Sequence, residues 1–456
     1  MMSDLPKDLA DEVLARLPVT SLRGFRSACK KGNTLSTDWS FTKKHLAQAK
    51  AATKKKFLPA KTTMMSDLPS DLAEEVLSRL PVTSLRGFRA ACKKWNTLSK
   101  ERSFTRKHLA QAKAAAAREF MVVMVMNSRV YLMGINLHGV HESVDPSINH
   151  QGKLVSLNDS DRVDISRVYH CDGLLLCIAK NYSRFVVWNP YSCKTLWLKP
   201  RSPHPRLDWY TYAIGYEKRK SCRNYKVLRF VDLAEKEFVE YEIYELKSNS
   251  WRVLDVTSDW EIEFYARGVS LKGNTYWFAT DKFPEISNNV RHSVDFLICF
   301  NFTSERFGPR LPLPFYSLNG DTVSLSSVRE EQLAVLFQRG DNLKMEIWVT
   351  TKIEPEVVLW GKLFLAVDMQ PLTDFQFLYT DASFIIDEEE KVVVVFDKDK
   401  DVMNTTRNTA YIIGEDGYYK EVDLGKSTDE FQYPLVCSYV PSSAQIKQGN
   451  KRKKNV

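Results

Sequence analysis

From about residue 120 onward the sequence is a series of short strand patterns, and their spacing constrains the fold more than any other feature. Runs of β-branched and aromatic residues are separated by turn residues every eight to twelve positions. Pairs of such runs recur, and the landmarks Val187, Ile243, Ile298, Ile347 and Ile412 are 56, 55, 49 and 65 residues apart. A four-stranded propeller blade takes roughly 50 residues, so the pattern predicts five blades.

A further strand pair precedes these five. The stretch "FMVVMVMNSRVYLMG" from Phe120 predicts an additional half or full blade, which brings the expected number to about six. The competing architecture is a twisted β-sandwich pair, because the chain has neither a WD signature nor the Gly-Gly pair of kelch repeats. The longest apolar runs, "MVVMVM" and "VVVVF", are strand-length, and no run approaches the roughly 18 residues of a membrane helix.

The first quarter of the chain contains the same segment twice. Residues 1–50 and 64–113 align without a gap at an offset of 63 and differ at nine positions. The intervening residues 51–63 are rich in Lys, Thr and Ala and are predicted to be a linker. One difference concerns a large side chain, since Gly32 of the first copy corresponds to Trp95 of the second.

Each copy is predicted to form three short helices. In the second copy Ser70 or Asp71 caps a first helix that Pro81 ends, and a later helical segment places Trp95 and Leu98 inward. Three short helices in about 45 residues enclose only a small core. Such a unit is marginal alone and leaves apolar surface for a partner.

Charge and cysteine content indicate where such a protein is found. Residues 1–119 contain 24 Lys/Arg against 11 Asp/Glu, whereas the rest of the chain has a net charge of −4. The tail "KQGNKRKKNV" from Lys447 is predicted to be solvated disorder or a nuclear import signal. The eight cysteines form no C-x-x-C pair, and the first residues carry charges where a secretory signal is apolar. We therefore expect reduced thiols in the nucleus, the cytoplasm or both.

No pattern in the sequence predicts catalysis. The two histidines of "HGVHE" lack a third ligand nearby, and the carboxylates of "DWEIEF" and "DEEEK" are interpreted as an exposed strand and a hairpin turn. Cys171 and Cys177 have no histidine partner. We therefore predict no catalytic residue, no metal and no cofactor.

Specific stretches resemble a known family. "SDLPSDLAEEVLSRLPVTSLRGFRAACKKWNTLSKERSFTRKHL" resembles an F-box. "CDGLLLCI", "FVVWNP", "YKVLRF", "YEIYELKSNSWRVLD", "GVSLKGNTYWFA" and "PLVCSYVPS" resemble the plant F-box-associated interaction domain of type 1. The chain is thus identified as similar to plant F-box proteins, with a duplicated F-box.

The resemblance and the patterns together imply an α+β multidomain chain, with tandem three-helix F-box units followed by a mostly antiparallel, propeller-like β domain. The expected domains are a first, degenerate F-box copy (1–50), a linker (51–63), a second F-box (64–113), the F-box-associated β domain (114–440) and a basic disordered tail (441–456).

The resemblance also implies a function. It indicates the substrate-recognition subunit of an SCF-type ubiquitin ligase, which binds a Skp-type adaptor, and through it a cullin, with its F-box and an unknown target protein with its β domain. The residues expected to bind the adaptor are Leu68, Pro69, Leu72, Val76, Leu77, Leu80, Pro81, Val82, Leu85 and Trp95. Trp95 is most simply a core residue and otherwise a direct adaptor contact.

Two alternatives remain open, an F-box scaffold outside ubiquitin ligases and a nucleic-acid-binding protein. The second is the weaker one, because the basic residues of the head are interleaved with acidic residues and leucines and not with stacking aromatics. No membrane partner is expected. Candidate target-binding loops are the long connections "SPHPRLDWY" and "KFPEISNNVRHS".

Overall fold

The computed structural model divides the chain into two compact units, Met1–Arg118 and Glu119–Val456. The first F-box copy and the linker lie outside the described residues. The structure describes residues 70–80, 82, 85, 89, 93–116 and 120–446, apart from 141–145, 154–162, 202–208, 219–222, 233–238, 264–265, 284, 288–289, 293–294, 319, 374, 378–382, 400–406 and 428–432.

Three helices are described in the first unit. They are α1 (Ser70–Ser78), α2 (Lys93–Leu98) and α3 (Arg102–Ala116). The last helix extends three residues past the predicted end of the F-box at residue 113. The added residues are alanines, and alanine has the highest helix propensity of any residue type. Residues 114–116 therefore belong to the helical unit and not to the β domain.

The second unit is a six-bladed propeller. Blade 1 contains β1 (Phe120–Met126), β2 (Arg129–Asn136), β3 (Ser147–Lys153) and β28 (Leu435–Ser438). Blade 2 contains β4 (Ile165–Cys171), β5 (Leu174–Ala179), β6 (Phe185–Asn189) and β7 (Lys194–Leu198). Blade 3 contains β8 (Thr211–Lys218), β9 (Arg223–Val231), β10 (Glu240–Glu245) and β11 (Ser250–Val253).

Blade 4 is irregular, because β12 and β13 both pair with β14 and the outer edge is split in two. It contains β12 (Trp260–Glu261), β13 (Val269–Leu271), β14 (Asn274–Asp281), β17 (Phe296–Asn301), β18 (Arg306–Phe307) and β19 (Leu311–Pro312), with an inserted hairpin of β15 (Glu285–Ser287) and β16 (Val290–His292). Blade 5 contains β20 (Thr322–Val328), β21 (Gln332–Gln338), β22 (Lys344–Glu354) and β23 (Val357–Asp368). Blade 6 contains β24 (Ser383–Asp387), β25 (Val392–Lys398), β26 (Arg407–Gly414) and β27 (Tyr419–Lys426).

The ring is closed by the end of the chain. The innermost strand of blade 1 is β28, which pairs antiparallel with β1, so that Val123 lies opposite Cys437. Neighbouring inner strands contact one another in the order β28, β4, β8, β13, β20 and β24. The predicted propeller is confirmed with six blades, and the alternative of a β-sandwich pair is wrong.

The hydrophobic core is divided among the interfaces between blades. Along β1, Val122 and Met124 pack against blade 6, whereas Val123 and Val125 pack against blade 2. Because successive side chains of a strand point to opposite faces, a strand buried on both faces is apolar at every position. This burial explains the continuous runs "MVVMVM" and "VVVVF".

The two faces of the propeller carry different connections. We call the upper face the one with the turns from second to third strands and the links between blades, and the lower face the one with the remaining turns. β1 begins on the lower face, at Phe120. Residues 439–446, here called the C-terminal strap, also run along the lower face.

The strap is fixed to blade 2. Asn189 Nδ2 donates to the carbonyl oxygens of Ser442 (3.2 Å) and Ala444 (2.7 Å), and Ile446 is buried between blades 2 and 3. Gly173 lies beneath it at φ +74°, where a Cβ atom would be 2.4 Å from Ser442 Oγ. The assignment of residues 441–446 to a disordered tail is therefore wrong, because two amide hydrogen bonds and a buried isoleucine hold them on the propeller.

A buried histidine lies beside the same turn. The backbone N–H of Gly173 donates to His170 Nε2 (2.9 Å), so this nitrogen is an acceptor and the imidazole is neutral. Burial lowers the pKa of His170 to about 4, and the negative charge of Asp172 opposes this only in part.

This histidine should make the propeller less stable in mild acid. As the pH falls below the ordinary histidine pKa of 6.5, the unfolded chain binds a proton that the folded chain does not bind until about pH 4. We expect the free energy of unfolding to fall by about 2 kcal/mol between pH 7.5 and 5 from this group. Urea unfolding of wild type and His170→Asn at both pH values measures it. Loss of stability between the two pH values should be smaller in the variant.

Candidate protein-interaction sites

The second F-box copy has a small apolar core. It consists of the buried side chains Ala73, Leu77, Val82, Leu85, Trp95, Leu98 and Phe104. Ala73 and Leu77 are four residues apart on α1 and so share one face of the helix. Trp95 and Leu98 are both buried, as the sequence predicted.

Two polar contacts join the segments around this core. Glu75 on α1 binds Lys107 on α3 and Arg79 (2.6 Å), and the hydrogen bonds from Lys107 and then Arg79 lower the pKa of the carboxyl group. Arg89 Nε donates to Ser99 Oγ at 3.1 Å. The half-exposed pairs contribute little energy, but they fix the relative position of the helices.

His108 is an F-box residue that the sequence analysis missed. Its Nε2 donates to the carbonyl oxygen of Leu80 (2.8 Å), and its ring stacks on Phe104 at a centroid distance of 5.6 Å. Burial lowers the pKa of His108. The contact fixes the chain where it leaves α1, next to the Leu80-Pro81 joint. Its only signal in the sequence is its position four residues after Phe104.

The predicted adaptor-binding residues fall into three groups. Leu77, Val82, Leu85 and Trp95 are buried within the chain, and Leu80 is half-buried. Leu68, Pro69 and Pro81 lie outside the described residues, as do the side chains of Leu72 and Val76. Adaptor binding by these ten residues stays a prediction, and the four buried ones can act on a partner by shaping the surface above them.

The outer surface of the same unit carries exposed positive charge. Among the residues that the structure describes there, the exposed basic side chains are Arg79, Lys93, Lys94, Lys100, Arg102, Arg106 and Lys113. A surface of this kind attracts an acidic partner and speeds its association.

One arginine on the propeller joins four blades. Arg267, which precedes β13 in blade 4, donates from Nη1 to Ser383 Oγ (2.7 Å) and to the Val436 carbonyl oxygen (3.3 Å), and from Nη2 to the Val168 carbonyl oxygen (3.2 Å). These acceptors belong to blades 6, 1 and 2. Arg267 is therefore a positioning residue at the centre of the ring.

The environments of the thiols and carboxylates that were considered as catalytic candidates do not favour catalysis. Burial raises the pKa values of the Cys171 and Cys177 thiols, which disfavours the thiolate that a nucleophile requires. Asp387 accepts hydrogen bonds from the backbone N–H groups of Glu389 (3.0 Å) and Glu390 (3.2 Å) in the predicted hairpin turn. In the part of the chain that the structure describes, no group of three His, Cys, Asp or Glu side chains could hold a metal ion.

The two candidate target-binding loops differ in what the structure shows. Residues 202–208 of "SPHPRLDWY" lie outside the described residues. "KFPEISNNVRHS" contains the hairpin of β15 and β16 on the upper face of blade 4. None of the helices in the described ranges is long and apolar enough to cross a membrane.

The chain thus consists of two modules, a small helical unit with a basic surface and a six-bladed propeller. Comparisons with known proteins identify both modules. The family model of the F-box domain matches residues 2–44 and 65–107, and that of the F-box associated beta propeller domain matches residues 121–446. The chain belongs to the family of F-box proteins with an F-box-associated β-propeller.

Relatives from Arabidopsis thaliana agree with this assignment. An F-box/kelch-repeat protein is 57% identical, over 84% of this chain and 99% of its own, and an F-box protein is 52% identical, over 84% of this chain and 100% of its own. Among solved structures, the periplasmic gluconolactonase of Pseudomonas aeruginosa matches 71% of this chain and all of its own at 11% identity and a TM-score of 0.35, which is too low to bear on function. The two domains are typically non-catalytic and imply a substrate-adaptor role in SCF-type ligases.

Proposed function

We propose that this protein is the substrate-recognition subunit of an SCF-type ubiquitin ligase. In this proposal the F-box binds a Skp-type adaptor, which connects it to a cullin, and the propeller binds a target protein. The observation that supports it is the presence in one chain of an F-box with a basic surface and a propeller of the F-box-associated family.

The proposed role needs no catalytic group in this chain. A receptor that holds a target beside a charged ubiquitin-conjugating enzyme replaces a bimolecular encounter by a high effective concentration. The contribution of the protein is then the affinity of its two surfaces. The ordinary structural roles of Cys171, Cys177 and Asp387 agree with this division of labour.

Within the chain, we assign adaptor binding to the second F-box copy. We propose that the ten residues predicted from the sequence serve this binding, and that the four buried ones, Leu77, Val82, Leu85 and Trp95, support the surface without touching the adaptor. The first copy has Gly32 at that position, and we propose that it is degenerate. Each relative is aligned over nearly its whole length, and about one sixth of this chain has no counterpart in it. A single working copy is consistent with that difference.

We propose that the protein acts in the nucleus, the cytoplasm or both. Nucleus and cytoplasm are both reducing compartments in which free cysteines are stable, and the described cysteines are free thiols. The basic residues 447–456 are a proposed nuclear import signal.

Reconstitution of the complex tests the function. The full-length chain, mixed with a recombinant Skp-type adaptor and a cullin, should elute with both in size-exclusion chromatography and should become ubiquitylated when the activating and conjugating enzymes are added. Retention of the adaptor without the cullin would instead favour the scaffold role. Absence of adaptor binding, together with DNA binding that falls steeply with salt, would favour nucleic-acid recognition.

A further inference from the structure

Three large apolar side chains on the upper face are exposed to solvent. Phe283 is 76% exposed, Tyr316 is 88% exposed and Leu318 is 67% exposed. Phe283 belongs to the connection from β14 to β17 in blade 4, and the other two belong to the link from blade 4 to blade 5. Both connections are on the upper face, and Ser317 Oγ donates to the carboxylate of Asp295 at the end of the first one. We call Tyr316 and Leu318 the apolar patch, and Phe283 is a further exposed side chain on the same face.

The link that carries Tyr316 and Leu318 is held in place on both sides. The ring of Phe315 stacks on Phe337 at a centroid distance of 4.1 Å. Asp321 accepts from the backbone N–H groups of Leu318 (2.9 Å) and Gly340 (3.0 Å). The side chains of residues 315 and 317 contact the protein, whereas those of residues 316 and 318 face solvent. Tyr316 and Leu318 are therefore exposed because the contacts of their neighbours fix the backbone in this orientation.

An exposed apolar surface on an ordered loop is well suited to binding another protein. Ordering a mobile loop on association costs free energy, whereas a loop that is already ordered avoids that cost. Exposed apolar clusters rimmed by polar groups mark interaction sites on soluble proteins, and large aromatic side chains contribute most of the binding energy at such sites.

Carboxylates flank the patch, and one positive charge is also close, because the Arg339 guanidinium lies over the Phe337 ring (5.5 Å) on which Phe315 stacks. Asp281 binds Arg310 (2.5 Å), but in the described part of the chain neither Asp295 nor Asp321 has a lysine or arginine partner. Burial raises the pKa of Asp295, and the charges of Asp281 and Asp321 raise it further, against the hydrogen bond from Ser317. Asp295 accepts from Ser317 and Asp321 accepts from the next residue, Leu318, so the two carboxylates lie close together, and their charge favours a cationic neighbour.

We propose that the apolar patch and the carboxylates of Asp295 and Asp321 bind an extended segment of the target protein that carries Lys or Arg beside a large apolar residue. This inference rests on the proposed function and specifies its substrate class. The apolar residue of the target packs against Tyr316 and Leu318, and its basic residue pairs with the carboxylates. The chain's own tail, residues 447–456, is basic but has Val456 as its one large apolar residue, so it matches the patch less well than a target segment does.

Peptide selection on the intact protein tests this proposal. A phage-displayed library of random 12-residue peptides is selected on the full-length chain bound to its adaptor, and the affinities of enriched peptides are measured by fluorescence anisotropy. We expect sequences with Lys or Arg next to an aromatic or aliphatic residue. Tyr316→Ser combined with Leu318→Ser should weaken binding about 30-fold, the value for roughly 2 kcal/mol of lost apolar contact.

Two matched variants separate the contributions. Asp295→Asn keeps an oxygen that accepts from Ser317 but removes the charge, and it should weaken binding about fivefold and reduce its dependence on salt. Leu359→Ser on β23, at a side chain that is 53% exposed, removes one exposed leucine elsewhere and should leave affinity unchanged. Failure to enrich any peptide, enrichment without basic residues, or equal binding by the Tyr316/Leu318 variant overturns the proposal.

Further results show whether a target segment or the chain's own tail binds the patch, and whether the proposed surface or the proposed ligase role is wrong. If deletion of residues 447–456 raises peptide affinity about tenfold or more, the tail occupies the patch, and the assignment to a target segment is wrong. If the Tyr316/Leu318 variant still binds the adaptor and cullin but also captures the same targets as wild type, the surface is wrong and the ligase role stands. If the wild-type chain binds the predicted peptides without binding an adaptor, the surface stands and the proposed function is wrong.

Discussion

A chain that ends at Pro434 is expected not to form a stable propeller. Such a chain lacks β28, the innermost strand of blade 1, which pairs with β1 from Val122 to Val125. Without it the inner ring has five strands and not six, and the contacts of β28 with β4 and β24 are absent. The truncation also leaves the edge of β1 unpaired and removes the Val436 carbonyl oxygen that accepts from Arg267.

The size of the effect follows from the side chains removed. Leu435, Val436 and Tyr439 are almost fully buried, and burial of each is worth roughly 1.5–3 kcal/mol. Their sum is about 5–9 kcal/mol, before the strand hydrogen bonds are counted, against a total stability of roughly 5–15 kcal/mol for a typical domain. Loss of this one strand therefore removes most of the free energy of folding.

Two longer truncations provide the controls, with thermal unfolding by circular dichroism as the measurement. A chain that ends at Ile446 keeps β28 and the C-terminal strap and should unfold at the wild-type temperature. A chain that ends at Val440 keeps β28 but lacks the strap, and it should unfold at an intermediate temperature. A soluble 1–434 chain with a cooperative transition at the wild-type temperature would contradict the role of β28 in closing the ring.

The sequence predicted the blades because their strand pairs are local. Val187, Ile243, Ile298, Ile347 and Ile412 all lie on the third strands of blades 2 to 6. Blade 1 could be recognised only in part, because its inner strand comes from the other end of the chain: Val123 and Cys437 are 314 residues apart. Periodicity detects neighbours along the chain and contains no information about such a pairing.

In the interaction sites, too, local features could be predicted from the sequence and contacts between distant residues could not. The inward positions of Trp95 and Leu98 follow from helical spacing and could be predicted. His108 and Arg267 could not, since their roles depend on carbonyl groups 28 and up to 169 residues away. Tyr316 and Leu318 appear in the sequence as part of a loop, and only the contacts of Phe315, Ser317 and Asp321 show that this loop is anchored with both side chains outward.

Replacement of Trp95 by glycine is expected to abolish adaptor binding by the full-length protein. Loss of a buried tryptophan costs about 3–5 kcal/mol, and glycine within a helix adds about 1 kcal/mol relative to alanine. Trp95 is 6% exposed and lies within α2, so both costs apply. A unit of about 45 residues has only a few kcal/mol of stability, so its folding equilibrium constant should fall by more than 100-fold and the unfolded form should predominate. Pull-down of the Skp-type adaptor by wild-type and variant chains measures the effect.

The duplication supplies a matched control for this prediction. Gly32→Trp combined with Trp95→Gly moves the tryptophan into the first copy, which otherwise differs from the second at eight positions. If the tryptophan decides whether a copy folds, the double variant should recover adaptor binding that Trp95→Gly alone has lost. Full binding by Trp95→Gly alone would instead show that the first copy is already competent, with Trp39, which corresponds to Arg102, as the residue that fills its core. Because the two copies are otherwise nearly identical, recovery of binding by the double variant would assign adaptor binding to the presence of one tryptophan at position 32 or 95.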